Sequence, residues 1–185
     1  IGALLGIGGG TVFSILHGRA EHERANRPFT IAAVLGVCFS LLFALLGSFA
    51  SGPIAALPGA TEETATYTIT YLRVILLFSP AFILNNIMTA FVRNDGNPHL
   101  AMAAMTISTL TNIVLDYVFI YPLRLGMFGA ALATGLGTVL GLLIHLTHFL
   151  RKSNTLRLLR MRPAIREILQ IFHCGISNFI TEFSA

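Results

Sequence analysis

Long apolar runs alternate with short polar connectors along the whole chain. A membrane core takes about 20 apolar residues in helical form, and four of the runs reach that length while carrying at most one charge each. Two shorter runs at the ends of the sequence are predicted to be partial spans. The complete spans are predicted at 31–49, 66–90, 99–121 and 126–150, and the partial spans at about 1–16 and 167–185. This pattern predicts an all-α polytopic membrane protein.

The composition supports the same class. Of the 185 residues, 55% are hydrophobic and 11% are charged, whereas soluble domains carry about 25% charged residues. A soluble enzyme, a disordered tail and a coiled coil are thereby excluded. The two cysteines, Cys38 and Cys174, lie inside apolar runs and make no disulfide framework. Because the sequence starts and stops inside apolar runs, we expect it to be an internal piece of a longer chain.

The basic residues are distributed unevenly over the connectors. Connectors 17–28, 91–98 and 151–166 hold three, one and six Lys or Arg residues, whereas the two other connectors share one. Positively charged loops stay on the cytoplasmic side of a membrane. We therefore predict that these three connectors are cytoplasmic, that the protein lies in the cell membrane, and that the charge does not serve nucleic-acid binding.

Small residues recur at every fourth position in two of the spans. Gly6 and Gly10 belong to a stripe in the first partial span. A second stripe in 126–150 consists of Gly129, Ala133, Gly137 and Gly141. Four-residue spacing places such residues on one helix face, where they let two backbones approach closely. We predict that both stripes serve helix packing.

Asp116 lies inside a predicted span, where a carboxylate costs about 2.5–3.5 kcal/mol on insertion scales. Asn112 and Ser108 precede it by one and two turns and share its helix face. Counted at 1.5 Å per residue, Asp116 lies about 8 Å and Asn112 about 14 Å below Tyr121. Thr134 lies about 12 Å deep on the returning helix. We predict one oxygen-rich cluster suited to a hard cation or an exchangeable proton; the alternative is a structural hydrogen bond between helices.

Two prolines predict where helices bend and begin. Pro80 follows Ser79 in the middle of a span and should kink that helix. Pro98 follows Asn97, which is the typical pairing of a capping residue with a proline in the first turn. We therefore predict a bent span at 66–90 and a helix that starts near residue 98.

Other polar residues inside or beside the spans are less specific. Glu182 is a second carboxylate in an apolar run and a functional candidate. His145 and His148 lie near the cytoplasmic end of their span and are predicted to be interfacial rather than metal ligands, because no third ligand is visible. No phosphate-binding loop, zinc helix motif or nucleophile elbow occurs in the sequence. We therefore expect a protein that is not an enzyme.

Several segments, taken in order, resemble the multidrug and toxic compound extrusion (MATE) family of secondary transporters, in its bacterial branch. The three glycines at 8–10 and the loop that follows them are similar to the second helix of that family and its cytoplasmic loop. FVRNDGNP at 91–98 is similar to a family loop motif. NIVLD at 112–116 and GMFGAALAT at 126–134 resemble the fifth and sixth helices. The likeness covers essentially the whole chain.

The resemblance implies a bundle of twelve helices in two lobes around a central cavity. In that scheme 1–150 is part of the N-terminal lobe, from the end of the second helix onward. The segment 151–166 is then the cytoplasmic interlobe loop, and 167–185 starts the first helix of the C-terminal lobe. The resemblance also implies a monomer, when full length, that exports cationic amphipathic drugs or metabolites in exchange for Na⁺ or H⁺ without a cofactor.

The resemblance further assigns roles to individual residues. The N-lobe cation site of the family uses an Asn and an Asp one turn apart and a Thr on the next helix, which match Asn112, Asp116 and Thr134. Some branches use a Glu on the seventh helix, and Glu182 resembles that position. No other metal site is expected.

Two alternatives stay open at this point. A lipid-linked oligosaccharide flippase of the same superfamily would need a more basic central cavity, whereas the predicted complete spans contain only Arg73 as a cation. A membrane bundle without transport activity would leave Asp116 without a role.

Overall fold

The computed structural model describes residues 1–49, 62–152, 154–161 and 163–183, and the side chains at 22, 23, 49, 62–66 and 177–183 lie outside that description. Helices dominate these residues, and no β-strand occurs among them. The helices are α1 (Gly2–Gly18), α2 (His22–Phe49), α3 (Glu62–Leu77), α4 (Ser79–Asn94), α5 (Pro98–Ile120), α6 (Gly126–Leu146), a 3-10 turn (Thr147–Leu150) and α7 (Ile165–Phe183).

The spans agree with the hydropathy pattern. Among the described residues, three helical segments are long and apolar enough to cross a membrane: Arg24–Ser48, Pro98–Ile120 and Gly126–Leu150. The bent pair Tyr67–Leu77 and Ser79–Asn94 makes a fourth if it is one span. These four correspond to the predicted complete spans. Residues 52–61 of the connector predicted at 52–65 lie outside the described residues.

The predicted kink occurs where α3 meets α4. The two helices form an angle of 52°, with Phe78 between them and Pro80 in the first turn of α4. Proline lacks an N–H group and its ring clashes with the preceding turn, which favours a bend at this point. The Ser79 hydroxyl donates a 2.9 Å hydrogen bond to the carbonyl oxygen of Ser40 on α2, which supports the bend.

The helix start predicted near residue 98 is confirmed, whereas the bounds of one connector are wrong. Asn97 caps α5, because its side-chain oxygen accepts a hydrogen bond from the Leu100 N–H at 3.4 Å, and Pro98 occupies the first turn. The predicted connector 17–28 is too long, since α2 already begins at His22 and includes Pro28. A transmembrane helix tolerates such a proline when neighbouring groups supply the missing contacts.

Helices α1, α2 and α4 share an aromatic core. Phe91 of α4 lies with its ring centroid 5.8 Å from that of Phe13 and 5.1 Å from that of Phe29, and all three rings are buried. Helix α5 differs, because its buried residues are only Ala101 and Ala104. Its many exposed apolar side chains suit a helix whose surroundings are lipid or further helices.

Small residues set how closely the helices approach. A Cβ on Gly6 would lie 2.9 Å from the carbonyl oxygen of Asn86, and one on Gly10 would lie 2.5 Å from Asn94 Nδ2, so this stripe of α1 contacts α4. A different face of α1 contacts α7, where a Cβ on Gly8 would overlap the carbonyl oxygen of Ile171. The sequence pattern did not indicate this second close approach.

Candidate cation site and cytoplasmic polar network

Helices α5 and α6 form an antiparallel hairpin that carries the predicted cluster. The connection is short, and both Arg124 and Gly126 adopt positive φ values of 52° and 54°. Antiparallel pairing places residues equally far from the turn side by side. This geometry brings Asn112 of α5 opposite Thr134 of α6, as the depth estimate indicated.

Asn112 and Thr134 are in direct contact. The Asn112 Nδ2 donates a 3.2 Å hydrogen bond to Thr134 Oγ1, and that hydroxyl donates in turn to the Ala130 carbonyl oxygen at 2.9 Å. The donors in these two hydrogen bonds are the Asn112 amide group and the Thr134 hydroxyl group. The Asn112 carbonyl oxygen and the Thr134 hydroxyl oxygen keep acceptor capacity for a further partner.

Asp116 lies one helical turn beyond Asn112 on the same face. Its Oδ1 atom is buried and has no hydrogen-bond partner among the described residues. A buried acceptor without a partner costs about 1–3 kcal/mol, and more when the group is charged. A cation or a proton at this oxygen would remove that cost. The geometry therefore combines a buried carboxylate oxygen without a hydrogen-bond partner with the hydrogen-bonded pair Asn112 and Thr134, one helical turn away.

Small residues of α6 allow the hairpin to close around this cluster. A Cβ on Gly137 would lie 2.8 Å from the Ser108 carbonyl oxygen, and one on Gly129 would lie 2.9 Å from Phe119 Cβ. Ala133 is completely buried. The Ser108 hydroxyl donates a 2.8 Å hydrogen bond to the Gly137 carbonyl oxygen, so Ser108 fastens the two helices and does not extend the cluster.

A second polar network, at the opposite end of the hairpin, was not predicted. The Asp95 carboxylate accepts hydrogen bonds from His148 Nε2 at 2.7 Å and from the Thr155 N–H at 3.0 Å. It also accepts one from the Thr155 hydroxyl. The side chains of Asp95 and His148 are each 1% exposed. The network joins the turn after α4, the 3-10 turn after α6 and the following connector.

The hydrogen bonds assign the tautomer of His148. Asn97 Oδ1 accepts from Leu100 N–H, so Asn97 Nδ2 is the atom that faces His148 Nδ1 at 3.1 Å and donates to it. His148 Nδ1 is then an acceptor, and Nε2 carries the hydrogen that is donated to Asp95. In this arrangement the Asp95 carboxylate accepts from three donors, namely His148 Nε2, the Thr155 N–H and the Thr155 hydroxyl.

The prediction of interfacial histidines is wrong. His145 and His148 are both completely buried, and His145 lies 3.1 Å from Asn85 Oδ1 and 3.3 Å from Thr89 Oγ1. Buried polar groups need hydrogen-bond partners. Asn85 and Thr89 of α4 are the partners of His145, although they lie more than fifty positions earlier in the sequence. The acidic residue in FVRNDGNP was the available signal for this network.

One remaining candidate can be located only in part. Glu182 belongs to α7, but its side chain lies outside the described residues. Within the described part of the chain, no group of three or more His, Cys, Asp or Glu side chains is placed to hold a metal ion. The cluster around Asp116 contains one carboxylate, and its other oxygens belong to an amide and a hydroxyl group.

Comparison with known proteins decides the family. The model of the MatE family matches residues 1–118, which is more than half of the 185 residues. The chain belongs to the MatE family. This membership confirms the resemblance drawn from the sequence motifs.

Curated relatives and solved structures of the MatE family match almost the whole chain. The multidrug export protein MepA of Staphylococcus saprophyticus is 35% identical over 182 residues, covering 97% of this chain and 40% of the relative. An inward-facing structure of a multidrug resistance MATE family transporter is similar with a TM-score of 0.88 at 26% identity, over 95% of this chain and 40% of that one. An outward-facing structure gives a TM-score of 0.88 at 27% identity, over 100% and 42%.

These matches define what part of a MatE protein the sequence represents. The chain spans about 40% of the length of the curated relative and of the solved structures it matches. Its fold is a partial MATE bundle, as expected from the sequence. The matched proteins are transporters rather than enzymes.

Proposed function

We propose that this chain forms part of a secondary active antiporter in the cell membrane. It exports cationic amphipathic compounds in exchange for Na⁺ or H⁺ by alternating access, as a monomer when full length. Residues 1–150 belong to the N-terminal lobe, 151–166 connect the lobes on the cytoplasmic side, and α7 begins the C-terminal lobe. The similarity to multidrug export proteins supports the substrate class.

One observation carries the proposal: the buried Oδ1 of Asp116 without a partner, beside the hydrogen-bonded pair Asn112 and Thr134. Structural carboxylates in membranes are normally paired, whereas those that exchange ions or protons are available to bind them. Hard cations take oxygen ligands, and the three side chains supply carboxylate, amide and hydroxyl oxygens. The same carboxylate accepts a proton equally well, so the geometry is compatible with either coupling ion.

The coupling follows from differential affinity. An ion from outside neutralises Asp116 and removes the cost of its unpaired oxygen, so it stabilises the arrangement of α5 and α6 in which the cluster is closed. A ligand shifts a conformational equilibrium only as far as it binds one state better than the other. Ion occupancy therefore favours the state that releases substrate outside, or the return to the inward-facing state. Loss of the ion to the cytoplasm restores the original equilibrium between the states.

The comparisons support movement of α1–α6, which make up most of the chain, as a unit. The TM-score is 0.88 against both an inward-facing and an outward-facing transporter structure. Since the similarity does not favour one state, the internal packing described above is compatible with both. The large change between states then belongs mainly to the relation between the lobes, as in other transporters built from two halves.

The alternatives considered from the sequence have no observation in their favour. The matched curated relatives are multidrug export proteins, not flippases of lipid-linked oligosaccharides. A bundle without transport activity would leave the Asp116 oxygen as an uncompensated cost.

The test is efflux of a fluorescent cationic dye from a drug-sensitive bacterial host. Wild type, Asp116→Asn and the matched control Thr109→Val are compared in a full-length protein carrying this sequence, at equal membrane abundance. Thr109 is on the same helix and exposed, so its replacement probes the helix and not the cluster. We expect efflux in wild type and in Thr109→Val and its loss in Asp116→Asn.

Two results would contradict the proposal. Efflux at the wild-type rate in Asp116→Asn would remove the coupling role from this carboxylate. Absence of dye efflux in all three proteins, with normal membrane insertion, would contradict export of cationic compounds.

A further inference from the structure

The connector that follows α6 is hydrogen-bonded to residues of the preceding helices. Here we define the strap as residues 155–159. Asn26 of α2 donates from Nδ2 to the Thr155 carbonyl oxygen at 3.0 Å and accepts from the Arg157 N–H at 2.8 Å. Thr30 Oγ1 accepts from the Leu159 N–H at 3.0 Å. Both α2 side chains are 7% exposed, so the α2 ends of these hydrogen bonds are buried.

The opposite side of the strap is fixed as firmly. Thr155 donates twice to the buried Asp95, and Leu156 is 1% exposed in the hydrophobic core. Removing any one of these partners would leave buried donors or acceptors unsatisfied. The strap therefore moves with α2, α4 and α6.

Helix α7 is held by contacts of another kind. Arg27 of α2 and Glu167 of α7 form an ion pair in which the Nε and Oε1 atoms are 2.6 Å apart. Arg27 Nη2 donates to Glu167 Oε2 at 3.1 Å. The side chains are 38% and 31% exposed, and a cavity of about 360 Å³ lies beside them. The two side chains are therefore more exposed than the strap's side-chain partners Asn26, Thr30 and Asp95, although the Arg27 Nε atom is itself buried.

Elsewhere, in the contact between α1 and α7, the backbone of one helix packs against a glycine of the other. A Cβ on Gly175 of α7 would overlap the carbonyl oxygen of Leu4, and one on Gly8 of α1 would lie 2.8 Å from the Gly175 nitrogen. At these crossing points the two backbones approach closely, and the Leu4 side chain packs against Gly175. Ile171 of α7 lies beside them in the hydrophobic core.

We propose that Arg27 and Glu167 form a cytoplasmic latch between α7 and the preceding helices, which opens and closes during transport while the strap stays attached. The inference rests on the proposed function, since it assumes that α7 moves relative to α1–α6. A half-exposed ion pair contributes little to stability, so it can open in each cycle. The buried hydrogen bonds of the strap cannot be exchanged so readily.

Glutamine is the appropriate replacement at position 167. Glu167 Oε2 also accepts a hydrogen bond from the Ala164 N–H at 3.2 Å, immediately before α7 begins. This is the contact of a capping box. Glu167→Gln keeps an oxygen for that contact and removes the charge, so the start of α7 is preserved while the latch is weakened.

The native Cys174 reports on the junction. It precedes Gly175 on α7 and is half-buried. In a full-length protein with Cys38→Ser and any other cysteines replaced, the rate of Cys174 modification by N-ethylmaleimide is measured in membranes. The variants are Glu167→Gln, Arg27→Gln, the double variant and Glu21→Gln. Glu21 pairs with Arg24 at 3.1 Å beside the same cavity but does not involve α7, which makes Glu21→Gln the matched control.

We expect each latch variant to increase the modification rate about 1.5- to 5-fold, the range that corresponds to an exposed or half-exposed ion pair. The double variant should match the single ones, because either change removes the same interaction. Glu21→Gln should leave the rate unchanged.

Unchanged labelling in Glu167→Gln, multiplied effects in the double variant, or an equal increase in Glu21→Gln would overturn the latch. Dye efflux is measured on the same proteins. If the labelling pattern is as expected but wild type exports no dye, the latch is supported and the proposed export is contradicted.

Discussion

Gly137→Ala tests whether the close approach of α5 and α6 maintains the cluster around Asp116. The new methyl group would lie 2.8 Å from the Ser108 carbonyl oxygen and 3.2 Å from Asn112 Cβ. The first of these is backbone and cannot rotate away. The helices must therefore move apart locally, and the residues that bind across the hairpin must move with them.

The size of the displacement follows from ordinary contact distances. Raising the methyl–oxygen distance from 2.8 Å to a normal 3.4 Å requires about 0.6 Å of separation. The Asn112–Thr134 hydrogen bond, 3.2 Å long in the native structure, would then reach about 3.8 Å and be lost. Overpacking costs about 1–3 kcal/mol, and the helix preference of alanine over glycine returns about 1 kcal/mol. These two contributions leave a net loss of about 0–2 kcal/mol relative to wild type, and of about 1–3 kcal/mol relative to a glycine-to-alanine change that meets no atom.

Thermal unfolding of the purified full-length protein measures the loss, with and without the coupling ion. We expect Gly137→Ala to unfold several degrees below Gly18→Ala and to gain less protection from the ion. Gly18→Ala is the control, because its Cβ would meet no atom within 4 Å. If the two variants unfold at the same temperature and are equally protected, the argument from close approach is refuted.

Two further predictions concern the two polar networks. Thr134→Val should remove the hydrogen bond to Asn112, which is worth about 0.6–1.7 kcal/mol in membranes. It should therefore weaken ion affinity about 3- to 20-fold, whereas the control Thr109→Val should leave ion affinity unchanged. Measuring the unfolding temperature at increasing ion concentration distinguishes the two variants. Asp95→Ala should leave three buried donors without an acceptor, at about 1–3 kcal/mol each. It should strongly reduce the yield of folded protein in size-exclusion chromatography, and a yield equal to that of wild type would contradict the buried network.

Local signals were sufficient for the spans and for much of the hairpin. Hydropathy located four spans because a membrane requires a minimum apolar length whatever the tertiary contacts. Pro80 and Asn97 were informative since each acts through its own backbone neighbourhood. Asn112 and Thr134 were paired correctly because a short turn makes depth from the turn a reliable coordinate for both helices.

The strap and the buried histidines could not be predicted in the same way. Asn26 binds Thr155 across 129 positions of sequence, and no periodicity indicates such a contact. His148 has the sequence context of an interfacial residue, with Arg151 close behind it. Its burial depends on Asp95, which arrives from the turn after α4. Polar side chains near the end of a span are ambiguous until their distant partners are known.

The most direct test of the central claim is ion-driven dye transport in proteoliposomes, with wild type and Asp116→Asn reconstituted at equal density. An inward gradient of Na⁺ or H⁺ is imposed, and dye binding is measured separately on the same proteins. The account predicts that wild type transports dye in response to one of the gradients, while Asp116→Asn binds dye but shows no response to either. Gradient-driven transport by Asp116→Asn at the wild-type rate would contradict it.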